Sequence, residues 1–198
     1  LALVWFVNLV NFMAGIDWLV VAGIVPITAG VIALAALGAA PAHLGLVALS
    51  LGGATLGFAP FNRPAARLYL GDAGTVPIGL LLGFALVGIA RAGQPAAAIL
   101  LPLYYVADAS ITLAYRTVRR RRIWEGHHEH FYQRATARLC VPAIVARVFV
   151  VNVLLLILAL AATALAGGSQ CLDQSVTDTK LYFLRSELTQ QLQTLASP

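Results

Sequence analysis

Long, nearly uninterrupted apolar runs limit what this chain can fold into. Leu19–Gly38, Ala42–Phe58, Thr75–Ala92, Pro95–Tyr115 and Val141–Ala166 each approach the roughly 20 residues that cross a hydrocarbon layer. The chain also opens inside such a run, Leu1-Ala2-Leu3-Val4-Trp5-Phe6-Val7, which reads as the tail of a further span and points to an N-terminal truncation. Charged residues make up 11% and hydrophobic residues 60%, whereas a soluble domain carries about a quarter charged residues. The runs are continuous and rich in Ala and Leu, while membrane strands need about ten alternating residues each, so helices are expected. The expected fold is all-α, a polytopic transmembrane helical bundle over residues 1–166. Residues 167–198 are a polar tail, with Leu181, Leu184, Leu188, Leu192 and Leu195 at the spacing of a short amphipathic helix.

The basic residues orient the bundle. Arg63 and Arg67 fall in one connection, and Arg116, Arg119, Arg120, Arg121, Arg122, Arg134 and Arg138 in another, so the positive-inside bias makes both cytoplasmic. Alternate threading then brings Asn8–Asp17, the Phe58–Gly74 loop and the Arg116–Cys140 loop to one face. The run Arg119–Arg122 needs no role beyond setting topology and attracting anionic lipid. Gly79 and Gly83, spaced as Gly-x-x-x-Gly, read as helix packing.

Those three polar segments carry the chemistry. Asp17 and Asp72 stand where spans begin or end; each alone reads more readily as a helix cap than as a ligand, and together on one face the two readings are even, the ligand reading being Mg²⁺, which takes one or two carboxylates plus waters and substrate phosphates. The stretch Ile123-Trp124-Glu125-Gly126-His127-His128-Glu129-His130-Phe131-Tyr132-Gln133-Arg134 gathers histidines and an arginine able to hold phosphate oxygens. Zinc at His127 and His130 is the weaker alternative, since the spacing is not His-Glu-x-x-His. Asp108, inside a span, reads either as bundle glue or as support for the site.

Asn8-Leu9-Val10-Asn11-Phe12-Met13-Ala14-Gly15-Ile16-Asp17 is followed by Gly57-Phe58 with Phe61-Asn62-x-Pro64, then by Leu70-Gly71-Asp72-Ala73-Gly74-Thr75, and last by His127-x-x-His130-x-Tyr132-Gln133-Arg134. In that order the segments resemble three signatures of the polyprenyl-phosphate N-acetylhexosamine-1-phosphate transferases, glycosyltransferase family four, over Asn8 to about Ala166. The resemblance implies transfer of an N-acetylhexosamine 1-phosphate from a UDP-sugar to undecaprenyl phosphate, releasing UMP. The setting it implies is the cytoplasmic face of a bacterial plasma membrane, at the first membrane step of envelope glycan synthesis. It implies Mg²⁺, with Mn²⁺ as a substitute, at Asp17 and Asp72. It implies catalytic roles for Asp17, Asp72, His127 and His130, and substrate binding by Asn11, Asn62, His127, His130 and Arg134. Expected partners are the UDP-N-acetylhexosamine, undecaprenyl phosphate and membrane lipid, with no nucleic acid; a homodimer is compatible with all of this.

Where the family's bacterial pattern reads Asp-Gly-x-Asp-Gly, this chain has Ala14 at the first acid and Trp18 at the final glycine. Its dolichyl-phosphate branch resembles this chain in carrying Ala there, which implies that the metal needs Asp17. The alternatives are a non-catalytic remnant or partial chain of the same fold, and, more remotely, a transporter-like protein. The family's paired-aspartate motif lies upstream and is unmatched in Leu1–Asp17, so this chain alone is expected not to turn over.

Overall fold

Polar side chains are sparse in the apolar stretches, and several of them close onto their own helix. Thr28 donates to the carbonyl of Ile24, Ser50 to Leu46, Thr55 to Leu51, and the Asn152 amide to Val148, each one turn back. A helix that satisfies its own polar groups in this way can sit in lipid. The computed structural model describes residues 1–120 and 130–167. Its helices are α1 (Ala2–Phe12), α2 (Leu19–Ala36), α3 (Ala42–Phe58), α4 (Gly71–Arg91), α5 (Pro95–Leu100), α6 (Leu103–Val118), α7 (Phe131–Ala135) and α8 (Val141–Gly167). No strand occurs among the described residues, and the all-α expectation holds.

Two compact units divide the chain, Leu1–Leu160 and Ala161–Pro198. Of the second, residues 161–167 are described, and they are helical. The expectations for the amphipathic tail and for His127 fall outside the described residues.

Helices α2, α4 and α8 are long and apolar enough to cross a membrane, with mean hydropathies of 2.4, 2.0 and 2.8. Their outward faces are correspondingly apolar: Leu80, Leu81, Phe84 and Val87 on α4, and Phe149, Val150, Leu154 and Ile157 on α8, are exposed. Such faces suit lipid and would be a liability in water.

Helix ends follow sequence cues. After α2, Gly38 takes φ 73° while the Ala39 N–H reaches the Leu34 carbonyl at 2.9 Å and the Gly38 N–H reaches Ala35 at 3.1 Å. Gly93 repeats this after α4, at φ 90°, with the Gln94 N–H on the Ile89 carbonyl at 3.2 Å. Both are Schellman stops, which need a residue at ease with positive φ.

The expected span Pro95–Tyr115 is not one helix. It is divided between α5 and α6 at Leu101–Pro102, because Pro102 has no N–H for the preceding turn and its ring crowds the carbonyl four residues back. Arg116, expected in a connection, is buried in the last turn of α6.

Close glycine contacts hold the bundle. A Cβ at Gly79 would lie 2.9 Å from the Val7 backbone, and one at Gly83 would meet Leu3 and Phe6, so α1 crosses α4 at backbone distance, as the Gly-x-x-x-Gly spacing suggests. Tyr105 of α6 lies over Gly23 and donates its hydroxyl to the Leu19 carbonyl at 3.3 Å, tying α6 to the start of α2.

Candidate active site

Between α1 and α2 the chain makes a tight turn that no helix-capping side chain supports. Trp18 adopts φ 62°, a left-handed conformation that costs a non-glycine residue about 1–2 kcal/mol. Two bonds to the 59–70 loop hold it there: its backbone N–H donates to Asn62 Oδ1 at 2.9 Å, and its indole Nε1–H donates to the Ala59 carbonyl at 2.7 Å. Asn62 is buried and donates its Nδ2 to the Leu68 carbonyl at 3.0 Å, closing the loop on itself. Asp17 accepts the Ala66 N–H at 3.3 Å through Oδ2, a third tie between the two segments.

Helix α4 restarts at the far end of that loop. Thr75, fully buried, places its hydroxyl 2.7 Å from Asn11 Oδ1 and 3.1 Å from the Gly71 carbonyl. One hydroxyl hydrogen makes one strong bond, and the shorter contact goes to Asn11, so the Asn11 amide keeps its N–H donors for another partner.

The third segment arrives through α7. Its five residues are too few to be stable alone, so it depends on contacts to the rest of the chain. Gln133 accepts the His130 N–H at 3.2 Å, one half of a capping box. Tyr132 is buried and donates its hydroxyl to the Phe12 carbonyl at 2.8 Å. Burial, reinforced by the Asp108 charge, pushes the Tyr132 phenol well above its ordinary range, with the Gly15 backbone pulling the other way. A Cβ at Gly15 would collide with the Tyr132 hydroxyl, so the glycine makes room for this contact.

These ties enclose a cavity of about 270 Å³. Asn11, Ala14, Gly15 and Ile16 line one side, Asn62, Tyr69, Gly71 and Thr75 another, and Tyr132 and Gln133 a third. All three motif segments therefore meet around one space.

Residues 1–90 match the model for glycosyl transferase family 4. The family 4 match covers the first two motif segments and ends before the histidine segment. It supports a membrane phospho-sugar transferase in general terms.

Against that background the expected site residues divide. Asn11 and Asn62 line the cavity, yet Asn62 is occupied on both ends of its amide by Trp18 and Leu68. Asp17 is half-buried and Asp72 exposed in the first turn of α4, where it also complements the helix dipole. Neither carboxylate is in the lining, but their neighbours Ile16 and Gly71 are, which puts both acids at its margin. His130 is buried with its Nδ1 3.2 Å from Asp108 Oδ1, and its ring is stacked against Phe12 and Tyr132 with centroids 6.0 and 5.8 Å apart. Arg134 is exposed at the end of α7.

No group of three His, Cys, Asp or Glu side chains able to hold a metal occurs among the described residues. Two marginal carboxylates beside an open cavity fit Mg²⁺ held in part by a diphosphate and water, the way Mg²⁺ is commonly bound. Trp18, Tyr69, Thr75 and Tyr132 were not singled out as site residues by sequence reasoning. The motif spacing held a signal only for Thr75 and Tyr132, both of which sit inside quoted motifs.

Proposed function

We propose that this protein transfers an N-acetylhexosamine 1-phosphate from a UDP-sugar to undecaprenyl phosphate at the cytoplasmic face of a bacterial plasma membrane. An oxygen of the lipid phosphate attacks the sugar-bearing phosphorus, the bond from that phosphorus to the bridging oxygen breaks, and UMP leaves with the bridging oxygen. The observation that carries this reading is the single cavity lined by all three motif segments, two of them within the family 4 match.

The residues suit the roles. Asn11 offers amide N–H donors, and Gln133 an amide already fixed against the His130 backbone. Asp17 and Asp72 would hold Mg²⁺, which would neutralise charge on the diphosphate as UMP leaves. The lipid phosphate is already ionised near neutral pH, so the attack needs no general base. Arg134 would add positive charge for the donor and His127 a ring nitrogen to bind its phosphate oxygens, and His130 would hold the shape of that wall.

A second reading, a member of the fold that binds but does not turn over, is favoured by Ala14. It lines the cavity where the bacterial pattern has an acid. UMP release with undecaprenyl phosphate, Mg²⁺ and a panel of UDP-N-acetylhexosamines separates the two. Release that is lost in Asp72→Asn supports the transferase and names its sugar. Folded protein that binds a UDP-sugar without releasing UMP, both alone and when supplemented with an upstream paired-aspartate segment, supports the second reading, and folded protein that binds none sinks both.

A further inference from the structure

Asp108 is 1% exposed and sits midway along α6, outside the cavity lining. A carboxylate so buried costs several kcal/mol unless its oxygens are satisfied. Its Oδ1 accepts the Phe131 N–H at 3.0 Å and lies 3.2 Å from His130 Nδ1 and 3.4 Å from Thr112 Oγ1. Its Oδ2 takes the Tyr104 hydroxyl at 3.4 Å. Two of these partners belong to α6 itself, but both hydroxyls lie at 3.4 Å, beyond the range of a strong O–H···O bond, so the acid's shorter contacts are with the histidine segment. The other two are the residues that start α7.

That choice of partners has consequences for the cavity. Phe131 is the first residue of α7, whose opening N–H groups have no partner within the helix. Asp108 supplies one, and it does so for a helix of five residues that cannot persist unaided. The same oxygen orients the His130 ring through the 3.2 Å contact to Nδ1, which sets the ring plane. The ring then stacks on Phe12 and Tyr132, and Tyr132 bonds the Phe12 carbonyl beside Gly15. A continuous set of contacts thus runs from a buried acid in α6 to one wall of the cavity.

We propose that Asp108 is a positioning residue of the candidate active site, holding His130 and the start of α7 so that Tyr132 and Gln133 form a cavity wall. It touches no substrate. Its effect on ligand binding rests on the transferase reading, whereas its hold on α7 does not.

The test uses the full chain in phosphatidylglycerol–phosphatidylcholine nanodiscs, as wild type, Asp108→Asn and Asp108→Leu. Amide hydrogen exchange is read at residues 130–133 and across α2 and α4, and UMP affinity is measured alongside. In Asp108→Leu, exchange at 130–133 rises and UMP affinity falls, each about tenfold, while α2 and α4 keep their protection. Asp108→Asn, which retains one acceptor oxygen, falls between the two. Unchanged exchange at 130–133 in Asp108→Leu overturns the proposal. So does loss of protection spread equally through α2 and α4, which would make Asp108 a fold residue. Wild-type protein that fails to bind UMP while 130–133 respond to the substitution sinks the transferase reading and leaves the hold on α7 standing.

Discussion

The backbone N–H of Trp18 donates to Asn62 Oδ1 at 2.9 Å, and this bond stabilises Trp18 in a left-handed conformation. Asn62 thereby joins the turn after α1 to the 59–70 loop, and its other amide end closes that loop on the Leu68 carbonyl. A glycine would take this φ of 62° without the strain that Trp18 bears. Here the indole compensates by bonding the Ala59 carbonyl.

Asn62→Ala removes both bonds and leaves two partly buried backbone groups without partners. The expected loss is about 1–3 kcal/mol of stability, and a fall in melting temperature of several degrees. Thermal unfolding of the detergent-solubilised chain measures it. An unchanged midpoint would show that the turn is held by the indole contact and the Asp17–Ala66 bond without Asn62.

Gly15→Ala forces a methyl group against the Tyr132 hydroxyl. The Tyr132 ring must move, at about 1–3 kcal/mol, and the cavity wall moves with it. Gly53→Ala is the control, since a Cβ there meets open space. In melting experiments the first substitution is expected to destabilise the fold and the second to be neutral or slightly stabilising. Equal midpoints for the pair would contradict the close approach at Gly15.

Tyr132 predicts an alkaline limit. Its folded phenol titrates above the ordinary value of 10.0, so between the two values the unfolded chain has released a proton that the folded chain retains. The stability associated with this neutral phenol is fully present below about pH 10 and declines as pH rises through the folded value. Tyr132→Phe should flatten that part of the pH–stability curve. A curve unchanged in slope above pH 10 would show that Tyr132 is not buried as described.

Asp72 is exposed and its contribution to the α4 dipole is small, about 0.3–1 kcal/mol, so Asp72→Asn should lower the melting temperature only slightly. On the transferase reading it should weaken the Mg²⁺ dependence of UDP-sugar binding, visible as loss of the difference between titrations with Mg²⁺ and with EDTA. A variant that keeps the full Mg²⁺ effect would remove Asp72 from the metal site.

What the sequence made legible follows from how local each signal is. Apolar continuity is local, and it gave α2, α3, α4 and α8 close to their observed limits. The division at Pro102 is equally local, but the hydropathy around it is continuous and says nothing about backbone hydrogen bonds. Contacts across the fold were different. Asp108 and His130 are separated by 22 positions, and nothing in either neighbourhood specifies that one oxygen serves both His130 and Phe131. The amide of Asn62 looked like a ligand group because its type and place in a motif were visible, while its engagement by Trp18 and Leu68 depends on how two loops fold against each other.

The central claim is that the cavity joining the three motif segments binds the donor. Photolabelling of the folded chain with a benzophenone- or azido-UDP-N-acetylhexosamine in the presence of Mg²⁺, followed by peptide mapping, tests it most directly. The account predicts adducts in the peptides bearing Asn11–Ile16, Tyr69–Thr75 or Tyr132–Gln133, competed away by unlabelled UDP-sugar and reduced in Asp108→Leu. Competable adducts confined to other helices, or none on protein that remains folded, would contradict it.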